Sequence, residues 1–544
     1  MRLKPLAAGL LLVTASAFAA PPQQDAAIAA AKPHVARADP DWAAFDAYVD
    51  AVRKRFDVPG IAVAIVKDGK VVLERGYGDR EMGKPGKVDE HTMFAIASNT
   101  KAFTAAALQI LADEKKLSMD DRVIDHLPWF RMSDPYITHD MRIRDLLAHR
   151  SGLGLGAGDL LYWPTTSYST KEVAQRLKDV PITGSFRARY AYDNILFGVA
   201  SLVIEEASGM SFKQFLSTRF FTPLGMTETR YNADDLKAGD NVATGHAKFN
   251  FTELKPVGTL TWSNAPGAGG LYSSVHDLTR WMNTMLAGGK VNGEANGKAL
   301  FSERAARDLW NVLTPMPVGK PSIPELAPAV PNMMGYAQGW NVGDYQGNKL
   351  VWHTGGWPGQ VSRLTLMPNS KIGVVVLTNQ EVGVAFNAVT FKALDLMLNG
   401  GSGNDWLAAY GKSFDKAQSD ADTSWEKHVA ARKAGKPQLP LSGYAGVWRD
   451  PWYGDVSLSE AGGALNIQFL KTAQLKGRLE HWQGETFIIR WDDRSLNADA
   501  FITFQLDPDG KPVGARMESI SPLTDFSFDF QDLRLAPVNP VKGA

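Results

Sequence analysis

Ser98 and Lys101, in the stretch FAIASNTKAF, stand three residues apart where an apolar run passes into a helical pattern. At a helix start the unpaired N–H groups and the positive end of the dipole favour a developing negative charge. Lys101 falls on the same face one turn on, its Cβ about 5–6 Å from that of Ser98. If that face is buried, loss of water lowers the lysine's proton affinity, and a neutral amine can take the serine proton. The spacing alone reads equally well as a capping serine followed by a solvated lysine, and Ser424-Trp-Glu-Lys427 repeats it elsewhere. Further along, RYAYDNILFG contains the chain's only Tyr-x-Asn, Tyr192 and Asn194, just ahead of a long apolar helical pattern. A tyrosine can shuttle a proton, and an asparagine offers both a donor and an acceptor to a substrate amide. His353-Thr354-Gly355-Gly356, the only His-x-Gly, ends a β-rich run, and its glycines allow a ligand to lie close to the backbone with an N–H aimed at a carbonyl oxygen. Taken singly, Tyr192 reads as an ordinary aromatic and His353 as part of a glycine-rich turn.

In the order Ser-x-x-Lys, Tyr-x-Asn, His-x-Gly, these residues resemble the serine β-lactamase and penicillin-binding-protein superfamily. The nearest likeness is to class C β-lactamase-like serine hydrolases, which include carboxylesterases, D-aminopeptidases and D-Ala-D-Ala carboxypeptidase-type enzymes. IRDLLAHRSGL and GAGGLYSSVHDLTRWM add to the resemblance, which runs from about residue 41 to 400. It implies that Ser98 is the acylated nucleophile, that Lys101 and Tyr192 share general base and acid duties, and that Asn194 positions Lys101 and the substrate. The N–H groups of Ser98 and Gly356 would form the oxyanion hole, with His353, Thr354 and Gly355 beside it. Many relatives carry Lys-Thr-Gly or Lys-Ser-Gly where this chain has His353-Thr354-Gly355. Histidine is at best partly charged near neutrality, so the cation that grips a substrate carboxylate is missing. Esters, amides and D-amino-acid peptides are therefore favoured over β-lactams, with β-lactam hydrolysis as the alternative. Arg363, on the adjoining strand, could supply a substitute charge. A non-catalytic cell-wall-binding or sensor protein on the same fold is the competing class of function.

Other chemistries fit poorly. Ser98 lacks the Gly-x-Ser-x-Gly elbow of an α/β-hydrolase. His139 and His149 stand without an HExxH pattern or cysteine ligands and read as structural, so neither a metal nor an organic cofactor is expected. With 58 basic and 58 acidic side chains, nothing favours nucleic acid or an anionic membrane as partner, and a small-molecule or peptide substrate is expected.

The elements that must position these residues divide the 544-residue chain. Residues 1–19 read as a secretory leader, with Arg2 and Lys4 before an apolar core and Ala17-Phe18-Ala19 at the cleavage site, so a periplasmic or secreted product is expected. No later stretch has the roughly 20 uninterrupted apolar residues of a membrane span. With no cysteine, the protein must be stabilised by packed cores alone. Residues 20–40 are Ala/Pro-rich and read as a flexible segment. Residues 41–400 read as an α+β domain, in which an antiparallel sheet is flanked by helices and joined to a mostly helical subdomain. An opening helix leads to a hairpin around Asp68-Gly69, helical patterns follow from 101 to about 310, and late strands run through NKLVWHTG, VSRLTLMPN and IGVVVLTNQ. The loop at 315–331, within a stretch holding six prolines, and GAGDLLYWPTTSY are expected as walls of the site. Residues 401–440 read as a linker with one short helix. Residues 441–540 alternate with period two and read as a small all-β barrel, in which DFSFDFQDLRL is a strand with Phe526, Phe528 and Phe530 on one face. That region resembles the lipocalin-like barrel appended to some of these hydrolases, and its position suggests a role in substrate access or oligomerisation.

Overall fold

Six consecutive apolar residues, Ile61 to Val66, have no exposed surface, which requires a strand covered on both faces. The computed structural model describes residues 40–294, 297–400 and 403–538, so the expected leader and all but the last residue of the segment 20–40 lie outside the described residues. Helix α1 (Trp42–Arg55) is capped by the Asp41 carboxylate, which accepts from the Ala44 N–H. Strand β1 (Gly60–Lys67) then turns back into β2 (Lys70–Gly78) through Asp68 and Gly69, whose φ values of 50° and 78° are those of a type I′ hairpin turn.

Helices α2 (Thr100–Asp113), α3 (Ile195–Ser208) and α4 (Val275–Leu286) come next. Strands β3 (Thr314–Met316), β4 (Met334–Tyr336), β5 (Asn341–Tyr345), β6 (Asn348–Trp357), β7 (Gln360–Met367) and β8 (Ile372–Thr378) complete the sheet. It is antiparallel throughout, in the order β2-β1-β8-β7-β6-β5-β4-β3. Helices α5 (Gly383–Asn399) and α6 (Trp406–Ala431) follow. Strand alternation sorts the core. Ile61, Val63 and Ile65 join residues of α1, α5 and α6, while Ala62, Ala64 and Val66 join those of α2, α3 and α4. Among the described residues no single helix is long and apolar enough to cross a membrane. The one bent pair that passes by composition, Ile195–Ser208 with Phe212–Leu224, turns by 76° at its break and contributes to the core.

The second sheet is a nearly closed antiparallel barrel. Strands β9 (Gly446–Asp450), β10 (Gly454–Ala461), β11 (Ala464–Phe469), β12 (Lys476–Gln483), β13 (Thr486–Trp491), β14 (Ala500–Leu506) and β15 (Pro512–Ser519) pair in sequence. Strand β16 (Ala536–Pro537) pairs with β9, and the adjacent Leu535 exchanges backbone hydrogen bonds with Ala515 of β15 to close the ring. The barrel interior, including Trp448, Phe469 and Trp491, belongs to the same apolar cluster as α2, α3 and α4.

The structure corrects several expectations. The segment 401–440 is dominated by the 26-residue α6, because Trp406, Ala409 and Tyr410 give its first turns a buried face and Trp425 reaches Trp482 of the barrel at 5.4 Å. Ser424 and Lys427 both fall on this helix, remote from α2. DFSFDFQDLRL is a turn and a short 3-10 segment (Phe530–Asp532), since the Asp525 carboxylate accepts from the Ser527 N–H and the Phe528 N–H bonds the Asp525 carbonyl. IRDLLAHRSGL gives only the 3-10 turn Ile143–Leu147. The buried Asp145 carboxylate accepts from Arg150 and Arg187 and draws the following chain out of the helix. The proline-rich loop packs on the far face of the sheet, where Leu326 joins the α1, α5 and α6 core and Glu325 pairs with Lys412 at 2.6 Å. Arg363 also faces that side. It is buried, stacks over Phe391 at 5.4 Å and donates to Thr365 Oγ1, so it offers no charge to the Ser98 side.

Strand β6 approaches the turn before α2 closely at Gly355, where an added Cβ would overlap the Ile96 carbonyl oxygen and Ser362 Oγ. Gly355→Ala should therefore lower unfolding free energy by about 1–3 kcal/mol, the usual cost of overpacking, measurable by urea denaturation. Wild-type stability in this variant would show that the contact yields without cost.

Candidate active site

Ser98 sits in the 3-10 turn Ala97–Asn99 that leads into α2. The preceding Ala97 has φ of 46°, a left-handed value that a non-glycine residue adopts only when its surroundings enforce it. Here they do. The Ile96 N–H bonds the Leu271 carbonyl, the Ala95 N–H bonds Gln360 Oε1, Ser362 Oγ donates to the Ile96 carbonyl, and Asn99 Nδ2 donates to Ser362 Oγ. The turn is thus stapled to β7 and to the segment before α4, leaving Ser98 8% exposed.

Lys101 has no exposed surface. Its Nζ lies 2.9 Å from Ser98 Oγ, 2.6 Å from Asn194 Oδ1 and 2.8 Å from the Ala268 carbonyl oxygen. Burial pushes its pKa down to about 7, against the opposing pull of Asp159 and Asp193. The Nζ also lies 5.0 Å from the centre of the Tyr192 ring. Tyr192 is half-buried and interacts with Ser98 through its hydroxyl, and its loss of solvent drives its pKa well above the usual value, so it stays a phenol. The sequence-derived Ser98, Lys101, Tyr192 and Asn194 are therefore brought together.

His353 is on the same side. Its Nδ1 lies 2.6 Å from the Thr354 carbonyl oxygen, an acceptor, so Nδ1 carries the proton and Nε2 accepts from the Tyr336 hydroxyl at 2.9 Å. Burial, reinforced by Lys101, lowers its pKa to about 3. The expectation of a partly charged histidine is thus replaced by a neutral one. Strand β5 pairs with β6 only as far as Trp352, so residues 353–357 have an outer edge with no strand partner in the sheet. Trp357 and Gln360 close a two-residue turn, so successive N–H groups alternate and those of Thr354 and Gly356 point to that outer edge. Space above Gly356 is open, whereas Gly355 is closed by its contact with the Ser98 turn.

Gly356 and Trp357 border a cavity of about 490 Å³ whose other walls are Trp163 and Pro164, Phe414 of α6, and Leu523, Asp525 and Phe528 of the barrel region. GAGDLLYWPTTSY is thus a wall, as expected, and the proline-rich loop is not. Among the described residues lining the cavity, Lys248 is the one cation and is paired with Asp57 at 3.0 Å, whereas Glu381 and Asp525 present carboxyl groups.

Several participants carried no signal in their local pattern. His149 is buried, takes the Asp193 N–H on Nδ1 at 3.1 Å and packs tilted against Tyr192 at 4.2 Å between ring centres, so it braces the tyrosine as a neutral ring. His139 lies apart, beside Arg122 at 3.1 Å. Asp159 is fully buried and accepts from Asn194 Nδ2 at 2.9 Å, Ser527 Oγ at 2.8 Å and the Tyr162 hydroxyl. Asp159 lay within a stretch read only as a wall, and Ser527 is 368 residues away in sequence.

Residues 45–397 match the Beta-lactamase family, and residues 430–537 match a domain of unknown function, DUF3471. The chain is 27% identical over 514 residues to the unguisins hydrolase ungD of Aspergillus violaceofuscus, covering 86% of each chain. It is 28% identical to Protein flp of Staphylococcus aureus over 61% of this chain and 62% of that one. Among solved structures, the octameric penicillin-binding protein homologue from Pyrococcus abyssi superimposes with a TM-score of 0.58 at 20% identity, covering 91% of this chain and 99% of that one. D-amino acid amidase from Ochrobactrum anthropi gives 0.55 at 19% identity, covering 66% and 99%. The family match spans well over half the chain, so the protein belongs to the beta-lactamase family of serine hydrolases.

Proposed function

We propose that the protein is an exported serine hydrolase that cleaves ester or amide bonds, including those of D-amino-acid-containing peptides, through an acyl-enzyme on Ser98. The observation that carries this reading is the fully buried Lys101 amine 2.9 Å from Ser98 Oγ. A neutral amine has two N–H donors and one lone pair. With the donors directed to Asn194 Oδ1 and the Ala268 carbonyl, the lone pair is left for the Ser98 hydroxyl proton. As that proton moves to Nζ, Oγ bonds to the substrate carbonyl carbon and the carbonyl oxygen gains the negative charge. The N–H groups of Ser98 and Gly356 are the donors assigned to that charge, each typically worth on the order of 100 to 1000-fold in rate. Collapse breaks the bond to the leaving group, which takes a proton relayed from Lys101 through the Tyr192 hydroxyl. Water then repeats the sequence on the acyl-Ser98 ester, releasing the acid and restoring the serine. Tyr192 serves as a relay in this scheme, because burial keeps it protonated and leaves Lys101 as the base.

Substrate choice follows from charge. A β-lactam or a peptide C-terminus presents a carboxylate, yet His353 is neutral, Arg363 faces away and the cavity carries carboxyl groups. Neutral or amine-bearing acyl groups suit those surroundings better. The similarity to a hydrolase of unguisins supports hydrolysis, and the likeness to an amidase of D-amino acids is in keeping with amide substrates. Export rests on the leader pattern of residues 1–19.

Two outcomes are expected. Because Lys101 must be unprotonated to act and its pKa is held near 7, kcat/KM should fall about tenfold per pH unit below about pH 7 and level off above it. Lys101→Met should abolish this limb and lower the rate by about 100-fold or more, with Ser98→Ala inactive to fluorophosphonate labelling. An unchanged limb in Lys101→Met would remove lysine from the base role. In a panel of p-nitrophenyl esters, D- and L-aminoacyl amides and a chromogenic cephalosporin, the esters or D-aminoacyl amides should be turned over fastest. Cephalosporin turnover matching the best ester would overturn the assignment.

A further inference from the structure

The turn 525–529 of the barrel region reaches the catalytic groups directly. Asp529 is buried and its carboxylate accepts from the N–H groups of Gly158 at 2.7 Å and Leu160 at 3.1 Å, gripping the chain on both sides of Asp159. Ser527 Oγ donates to Asp159 Oδ2 at 2.8 Å, and the Phe526 ring meets Tyr192 edge-on at 5.8 Å. The fit is tight, since a Cβ on Gly156 would come within 2.8 Å of the Phe526 carbonyl oxygen. From Asp159 the chain of contacts continues through Asn194 Nδ2 at 2.9 Å and from Asn194 Oδ1 to Lys101 Nζ at 2.6 Å.

We infer that Ser527 is a positioning residue for the hydrolytic reaction: acting from the C-terminal β-region, it fixes the Asp159 carboxylate, which orients the Asn194 amide so that its oxygen faces Lys101. The inference rests on the serine-hydrolase reading of Ser98 and Lys101.

An asparagine amide can be turned over with little change in shape, presenting either oxygen or nitrogen to the lysine. What selects the oxygen is a partner for Nδ2 that only accepts, and an ionised carboxylate is such a partner. Burial pushes the Asp159 carboxyl up to about 7, and three hydrogen-bond donors, Tyr162, Asn194 and Ser527, hold it from rising further and so keep the ionised form within reach near neutrality. Removing the Ser527 hydroxyl withdraws one of them. A protonated Asp159 could donate as well as accept, so it could pair with either face of the amide, and the constraint on its orientation would lapse.

The same charge acts on Lys101 through space. The groups that face the amine are Asp159, Asp193 and Tyr192, with Phe197 from α3, His353 from β6 and the Ala268 carbonyl; Asp529 lies behind Asp159. Burial holds His353 and His149 neutral and Tyr192 and Tyr162 protonated, so Asp159 and Asp193 are the groups whose charge raises the lysine's proton affinity. Losing charge at Asp159 therefore lowers the pKa of Lys101 and moves the acid limb to lower pH, even as misorientation of Asn194 slows the reaction.

The test uses the full chain with Ser527→Ala, Ser527→Thr and Asp159→Asn, following p-nitrophenyl ester hydrolysis and fluorophosphonate labelling of Ser98 between about pH 5 and 9. Ser527→Ala should lower kcat about tenfold with KM little changed, and should displace the acid limb downward by a few tenths of a pH unit. Ser527→Thr, which keeps the hydroxyl, should restore both. Asp159→Asn should displace the limb further in the same direction. A rate loss of equal size at every pH, or no loss at all, with wild-type labelling intact, would overturn this inference alone. Failure of the wild-type chain to label at Ser98 would overturn it together with the reading it rests on.

Discussion

An amine with no access to water must find its hydrogen-bond partners inside the protein, and Lys101 finds them on three separate segments: Ser98 just before its own helix, Asn194 before α3, and Ala268 ahead of α4. Each of those segments is held by something larger. The Ser98 turn is clamped by β6 and β7, Asn194 by the carboxylate of Asp159, and Ala268 by its packing in the helical core. Much of the domain can be read as the support this one buried group requires. Burial lowers the lysine's proton affinity, two aspartates partly restore it, and the balance falls close to neutrality.

Much of this was legible in the sequence where chemistry and periodicity coincide. Ser98 and Lys101 could be placed on one helix face because three residues make nearly one turn, and β1 and β2 because Asp68-Gly69 fits the positive φ values of a hairpin. What escaped was set by tertiary contact. The alternation of Phe526, Phe528 and Phe530 has the period of a strand, yet the carboxylates of Asp525 and Asp529 bond backbone N–H groups and bend the segment into a turn. Arg363 has the look of a strand-surface cation, but the second apolar layer of α5 covers it. Helix α6 lies where the sequence reads as a linker with one short helix, because its polar face dominates the composition and only its first turns betray burial. His353 would titrate in water within the physiological range, and nothing local announces the enclosure that keeps it neutral.

The C-terminal barrel is more than an appendage in structural terms. Its interior is continuous with the apolar cluster around α2, α3 and α4, and the turn 525–529 sends Phe526, Ser527 and Asp529 toward Tyr192, Asp159 and the chain around it. Local unfolding of the barrel would therefore expose apolar surface on the hydrolase side as well, so the two are expected to lose structure together.

The outer edge of β6 beyond Trp352 has a second consequence. An unpaired run of N–H and C=O groups is a template on which any extended chain can add itself as a further strand, and proteins that leave such edges open risk sticking to their own copies. Here Gly356 is exposed, while His353 is buried beside Tyr336 and Tyr192, Gly355 against the Ser98 turn and Trp357 beside Trp163. The edge thus offers one exposed residue, Gly356, and not a run on which the broad face of another sheet could settle. Protection against self-association is, at this strand, a matter of how little of its edge is left uncovered.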